Sequence, residues 1–134
     1  LRNVDKRGLL ELSGDFQALV DRAKEGSTQP GDLSGGTFTI SNLGALGVER
    51  FNAIVSPPEC AILAVGAIIK QPVVVNDEIA IRPMMKITLS FDHRIIDGAP
   101  AARFLASVKA NLEAPPAVHP GNIERGAAGH AIHI

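Results

Sequence analysis

A chain of 134 residues is about one domain of sequence, and 46% hydrophobic with 20% charged residues is the make-up of a folded globular protein, not a disordered one. A formal net charge of -1 without any basic run excludes the electrostatic footprint of a nucleic-acid binder. The longest apolar run, Cys60 to Ile69, is too short to span a bilayer.

The first residues are already charged and show no secretory leader, and the single Cys60 reads as a buried, inert thiol. Together these predict a reducing compartment: the cytoplasm of a bacterium, or the mitochondrial matrix if the source is eukaryotic. With no Trp or Tyr, the core must rest on aliphatic side chains and five Phe.

Leu1 to Asp5 reads as the end of a strand, followed by a helix to about Lys24. Leu9, Leu12, Phe16, Leu19, Val20 and Ala23 recur at the three-four spacing of one buried helix face. Gly26 to Gly31 is rich in breakers and ends it. Thr37 to Ser41 alternates like a half-buried strand. The next segment, Asn42-Leu43-Gly44-Ala45-Leu46-Gly47, lacks the G-x-G-x-x-G pattern of a dinucleotide loop and reads as backbone passing close to something else.

Ala61 to Ile69 is apolar on both faces, as a central strand is. Val73 to Val75 and Glu78 to Arg82 flank Asn76-Asp77 as a hairpin. A separate strand, Met85 to Phe91, leads to His93, where a rigid element stops. Asp97-Gly98 then turns the chain, with Gly98 supplying a backbone angle that other residues avoid. The last helix spans about Pro100 to Glu113, with Ala102, Leu105, Val108 and Leu112 facing inward. This places a domain at 1-116 and a tail of unknown role at 117-134, where composition shifts. In that tail His130 and His133 have no carboxylate or thiolate partners, so no metal site is expected.

Three blocks carry a resemblance to a known family. Gly35-Gly36-Thr37-Phe38-Thr39-Ile40-Ser41-Asn42-Leu43-Gly44, the segment from Ser56 to Gly66, and Asp92-His93-Arg94-Ile95-Ile96-Asp97-Gly98 resemble, in order and spacing, motifs of the dihydrolipoamide acyltransferases. These are the E2 components of 2-oxo acid dehydrogenase complexes. The Ser41-Asn42-Leu43-Gly44 block looks most like the acetyl-transferring members of pyruvate dehydrogenase. Chloramphenicol-type O-acetylation fits that block less well.

The resemblance implies an α/β fold of the chloramphenicol acetyltransferase type, a mixed sheet flanked by helices. It covers Leu1 to about Pro115 and matches only the C-terminal part of the family's catalytic domain, so the domain is expected to be truncated at its N-terminus. The implied reaction moves an acyl group, acetyl in this branch, between dihydrolipoamide and coenzyme A. By resemblance His93 is the general base, Ser41 the oxyanion donor, and Asp97 an active-site residue that either supports His93 or holds the turn. Ile40, Ser41, Val65 and Gly66 are the implied contacts of the coenzyme A pantetheine arm. The lipoyl group would come from a separate domain or chain. The implied partners are further copies of the chain in a trimer or larger cage, a lipoyl domain and, indirectly, the E1 and E3 components. A catalytically inactive scaffold or fragment of such a core is the alternative.

Overall fold

In the computed structural model, which describes residues 1-115, the first helix, α1, runs Leu9–Lys24. Glu11 in its first turn and Arg22 and Lys24 in its last oppose the helix macrodipole. It ends where Gly26 takes φ 69°, letting the Ser27 N–H reach the Arg22 carbonyl at 2.9 Å and the Gly26 N–H that of Ala23 at 3.3 Å. That is a Schellman closure, which a residue with a Cβ would strain.

The described chain divides into two units, Leu1–Gly36 and Thr37–Pro115. The first is tied by arginines. Arg7 grips Glu11 and Asp15, Arg22 forks onto Asp32, and Arg2 donates to the carbonyls of Gly31 and Ser34, both at 2.9 Å. The N-terminal strand expected over Leu1 to Asp5 is absent. A 3-10 turn, Val4–Lys6, stands there, entered through Asn3 in a left-handed conformation at φ 51°. No residue of α1 is buried, and Leu9 and Phe16 of the expected inner face are exposed.

The second unit is built on three strands in the order β1-β2-β3. β1 (Thr39–Asn42) runs parallel to β2 (Ala61–Val75), and β2 runs antiparallel to β3 (Glu78–Phe91), so the sheet is mixed. The helix α2 (Gly98–Glu113) packs against β3, and Phe104 on it meets Phe38 with ring centroids 5.7 Å apart. The core is the start of β2: Ala61, Ile62, Leu63 and Ala64 are buried, with Ala101 from α2. This is where β2 has a neighbour on each side, as its two-sided apolarity requires.

Four expected strands are two long ones. Pro72 and Pro83, which stand in the gaps between the expected strands, both lie inside the ribbon, opposite Ile81 and Lys70 respectively. There each strand has a single neighbour, so a missing N–H can fall on the open side. Asn76 and Asp77, at φ 52° and 64°, close the ribbon with the two left-handed residues of a type I′ turn.

β2 carries one extra residue between Val65 and Ile68, a bulge that turns the Ala67 N–H away from β3 to the Val48 carbonyl at 2.8 Å. Here the segment after β1 crosses the sheet. A Cβ on Gly66 would stand 2.0 Å from the Glu49 carbonyl oxygen, and one on Gly44 would stand 2.6 Å from that of Gly66. The expected close passage of Asn42 to Gly47 is therefore real, and what it passes is the chain's own β2.

Three smaller expectations need correction. The inward face of α2 follows Ala101, Leu105 and Val108, one i, i+4, i+7 row, while Ala102 and Leu112 are exposed. Gly98 is the first residue of α2 and is not among the positive-φ glycines; its Cβ position is open space. Cys60 is half-buried, not buried. The expected tail at 117-134, with His130 and His133, lies outside the described residues.

Candidate active site

β3 ends at Phe91, and the chain turns at once over His93 to Ile95 before α2 begins. The turn is anchored by Asp92. Its N–H donates to the Cys60 carbonyl at 2.9 Å, extending the β2–β3 ladder by one rung, and its own carbonyl accepts the N–H groups of Ile95 and Ile96, both at 3.0 Å. Its carboxylate accepts the Arg94 N–H at 2.9 Å and the Arg94 guanidinium on both oxygens, the shortest contact being 2.6 Å. In the sequence Asp92 carries no role beyond its place in a motif. The signal was there, an Asp and an Arg two apart around a turn histidine.

His93 itself points outward, its side chain 71% exposed, with the Phe91 ring 5.6 Å away on one side. Its Nδ1 lies 4.0 Å from the Asp97 Oδ1, beyond hydrogen-bond reach, and Asp97 is 85% exposed. Asp97 occupies the N-cap of α2 without making a side-chain cap. A groove of about 440 Å³ runs beside the turn, with apolar walls from Ile54, Val55, Phe91 and Ile95.

The Arg94 guanidinium and backbone N–H hold the Asp92 carboxyl down at about 2 from its ordinary 3.8. A carboxyl depressed on folding stabilises the turn fully above about pH 4 and loses that contribution as pH falls through about 2. The Arg94 amide proton resonance should therefore move along a titration curve in that window. A flat response would show the hydrogen bond to be absent in solution.

Ser41 is on another strand. It lies half-buried one residue before the end of β1, opposite Ala64 of β2, which in turn faces Thr88 of β3. Asn42 fixes the exit, its Oδ1 accepting the Gly44 N–H at 2.9 Å, while the Leu43 N–H reaches Val65 at 3.2 Å. Ile40, on the opposite face of β1, is exposed; Val65 is half-buried, and Gly66 is buried beneath Glu49.

The register separates Ser41 from His93. Two strand spacings amount to about 10 Å, and the five residues from Thr88 to His93 add roughly 15 Å along the strand. His93 and Asp97 are thus neighbours, and Ser41 is out of reach of both within one chain.

The family model for the 2-oxoacid dehydrogenases acyltransferase catalytic domain matches residues 1–119. The chain belongs to this family. It is 44% identical over 115 residues to the dihydrolipoyllysine-residue acetyltransferase component of pyruvate dehydrogenase complex from Rickettsia bellii, covering 86% of this chain and 28% of that protein. A crystal structure described as a probable dihydrolipoamide acetyltransferase from Listeria monocytogenes superposes with a TM-score of 0.83 at 36% identity, over 89% of this chain and 53% of that one. The dihydrolipoamide acetyltransferase of Azotobacter vinelandii follows at 0.80 and 40%, over 83% and 46%. In that enzyme the roles of a serine, a histidine and an asparagine in the catalytic mechanism were investigated. The acyltransferase fold expected from the sequence is the observed one. The chain spans about a quarter of the curated relative and about half of each solved catalytic core.

Proposed function

We propose that this acyltransferase-family chain transfers an acetyl group between coenzyme A and dihydrolipoamide, with His93 as base, Ser41 as oxyanion donor and Asp97 as the companion of His93. One observation carries the reading. The serine and histidine studied in the A. vinelandii enzyme stand 52 positions apart, and the asparagine follows the histidine by four. Ser41, His93 and Asp97 stand at the same separations.

The chemistry suits these groups. An alkyl thiol with a pKa near 8.5 is mostly protonated at neutral pH, so it needs a base in hydrogen-bond reach. His93 accepts the thiol proton of dihydrolipoamide, and the thiolate attacks the acetyl carbonyl of acetyl-CoA. The oxyanion of the tetrahedral intermediate accepts a hydrogen bond from the Ser41 hydroxyl. Collapse expels the coenzyme A thiolate, which takes the proton back from His93. Coenzyme A is a substrate here; Ile40, Ser41 and Val65 border the path proposed for its pantetheine arm, Gly66 being covered by Glu49, and a lipoyl domain delivers the other thiol.

The separation of Ser41 from His93 supports a centre shared between copies, His93 of one subunit meeting Ser41 of the next. A homo-oligomer, a trimer or a cage of trimers, is then part of the mechanism. The E1 and E3 components meet it through the lipoyl carrier.

The test is acetyl transfer from acetyl-CoA to dihydrolipoamide by the purified chain, with succinyl-CoA as the competing donor. Transfer with preference for acetyl supports the proposal, and preference for succinyl reassigns the complex. Absence of transfer makes the chain a scaffold. Asp97→Asn, which restores the side chain found at this separation in the A. vinelandii enzyme, should keep turnover within about threefold, under ~1 kcal/mol of barrier. Asp97→Ala should lose more. Equal losses would show that the negative charge, and not hydrogen bonding, is what Asp97 supplies.

A further inference from the structure

We propose that Asp92 and Arg94 are positioning residues for His93, a clamp across the turn that aims the imidazole; this rests on the acyl-transfer reading of His93. Among the described residues the His93 side chain has no hydrogen bond, only the Asp97 oxygen at 4.0 Å and the Phe91 ring. Its direction is set instead by the backbone on either side of it. Residue 92 is held at every polar group: the N–H by Cys60, the carbonyl by Ile95 and Ile96, the carboxylate by Arg94.

Arg94 is gripped twice from the same carboxylate. Its N–H bonds to Oδ1 at 2.9 Å, while its Nε lies 2.9 and 3.1 Å from the two oxygens and its Nη2 2.6 Å from Oδ2. The backbone before His93 and the backbone after it are therefore tied to one rigid group. The two partners divide the work unequally: the Asp92 side chain is 19% exposed and the Arg94 side chain 87%. The guanidinium folds back over the carboxylate from solvent, shielding it from competing water. Charged, two-point pairing of this kind fixes geometry better than a single neutral bond.

Aim matters for a base that makes no other bond. It must come within about 2.6–3.2 Å of the thiol, and a displacement near 1 Å can cost about 100-fold. An ordinary surface ion pair would leave turnover untouched.

The test uses the full assembled chain. Asp92→Ala should lower kcat by about 10- to 100-fold with the KM for acetyl-CoA within about twofold. Asp92→Asn, whose amide oxygen still accepts the Arg94 N–H without the charged fork, should fall between it and the parent. Arg94→Gln, altered on the solvent side, should follow Asp92→Asn and serves if Asp92→Ala does not fold. The three-bond couplings of the His93 β-protons give a readout without turnover: one rotamer in the parent, averaged values in Asp92→Ala and Arg94→Gln. Unchanged kcat, a rise in KM alone, or unchanged couplings would overturn the clamp. If the parent chain transfers no acetyl group, the functional reading falls and the couplings alone decide the clamp.

Discussion

His93→Ala is expected to lower acetyl transfer by about 10²- to 10⁴-fold, the usual range for removing a positioned general base. The loss should appear in kcat and in kcat/KM alike, because the proton is taken as the thiol attacks and not when acetyl-CoA binds. The side chain is exposed and makes no hydrogen bond among the described residues, so the variant should fold and melt as the parent does. A variant that transfers acetyl at the parent rate would remove His93 from the mechanism.

Ser41→Ala should cost about 10²- to 10³-fold in kcat, the scale of one lost oxyanion donor. The more telling experiment mixes the two variants. The register of the sheet keeps Ser41 two strands and five residues from His93, so a chain acting alone does not bring the two together. If the centre forms between copies, reassembling equal amounts of His93→Ala and Ser41→Ala pairs an intact histidine with an intact serine at about a quarter of the interfaces of a closed ring. Activity should rise from near zero to about that fraction of the parent. A mixture no better than the two variants separately would put both residues in one chain's site and contradict the geometry.

Much of this was readable from residues alone. His93 at a strand end, Asn76-Asp77 as a hairpin turn, and the helices around α1 and α2 all rest on local signals: alternation, three-four spacing and turn chemistry. The structure departs where a non-local partner decides. Pro72 and Pro83 look like strand breaks until it is known that the ribbon there has open edges. The inner face of α2 shifts to Ala101, Leu105 and Val108 because β3 approaches from that side. Gly66 looks like a residue kept small for a ligand, and the space is filled by Glu49 from the same chain. Ser41 and His93 stand 52 positions apart, and no spacing reveals that the sheet holds them too far apart to meet.

The shape of the β2–β3 ribbon also bears on how the chain acquires its fold. Its first rung, Val75 with Glu78, closes over only two residues, and each further rung adds a little more chain up to Ala61 with Phe91. The entropy of closing each new loop is therefore small once the preceding rung exists, and the ribbon can zip from Asn76-Asp77 inward. β1 has no such gradient. Its four residues must find Ile62 to Val65 across a connection with little regular structure, and nothing holds them there until β2 is in place. The strand that presents Ser41 is thus expected to join late, after the ribbon that ends in His93 has formed, with slower amide protection in pulsed hydrogen exchange as its mark.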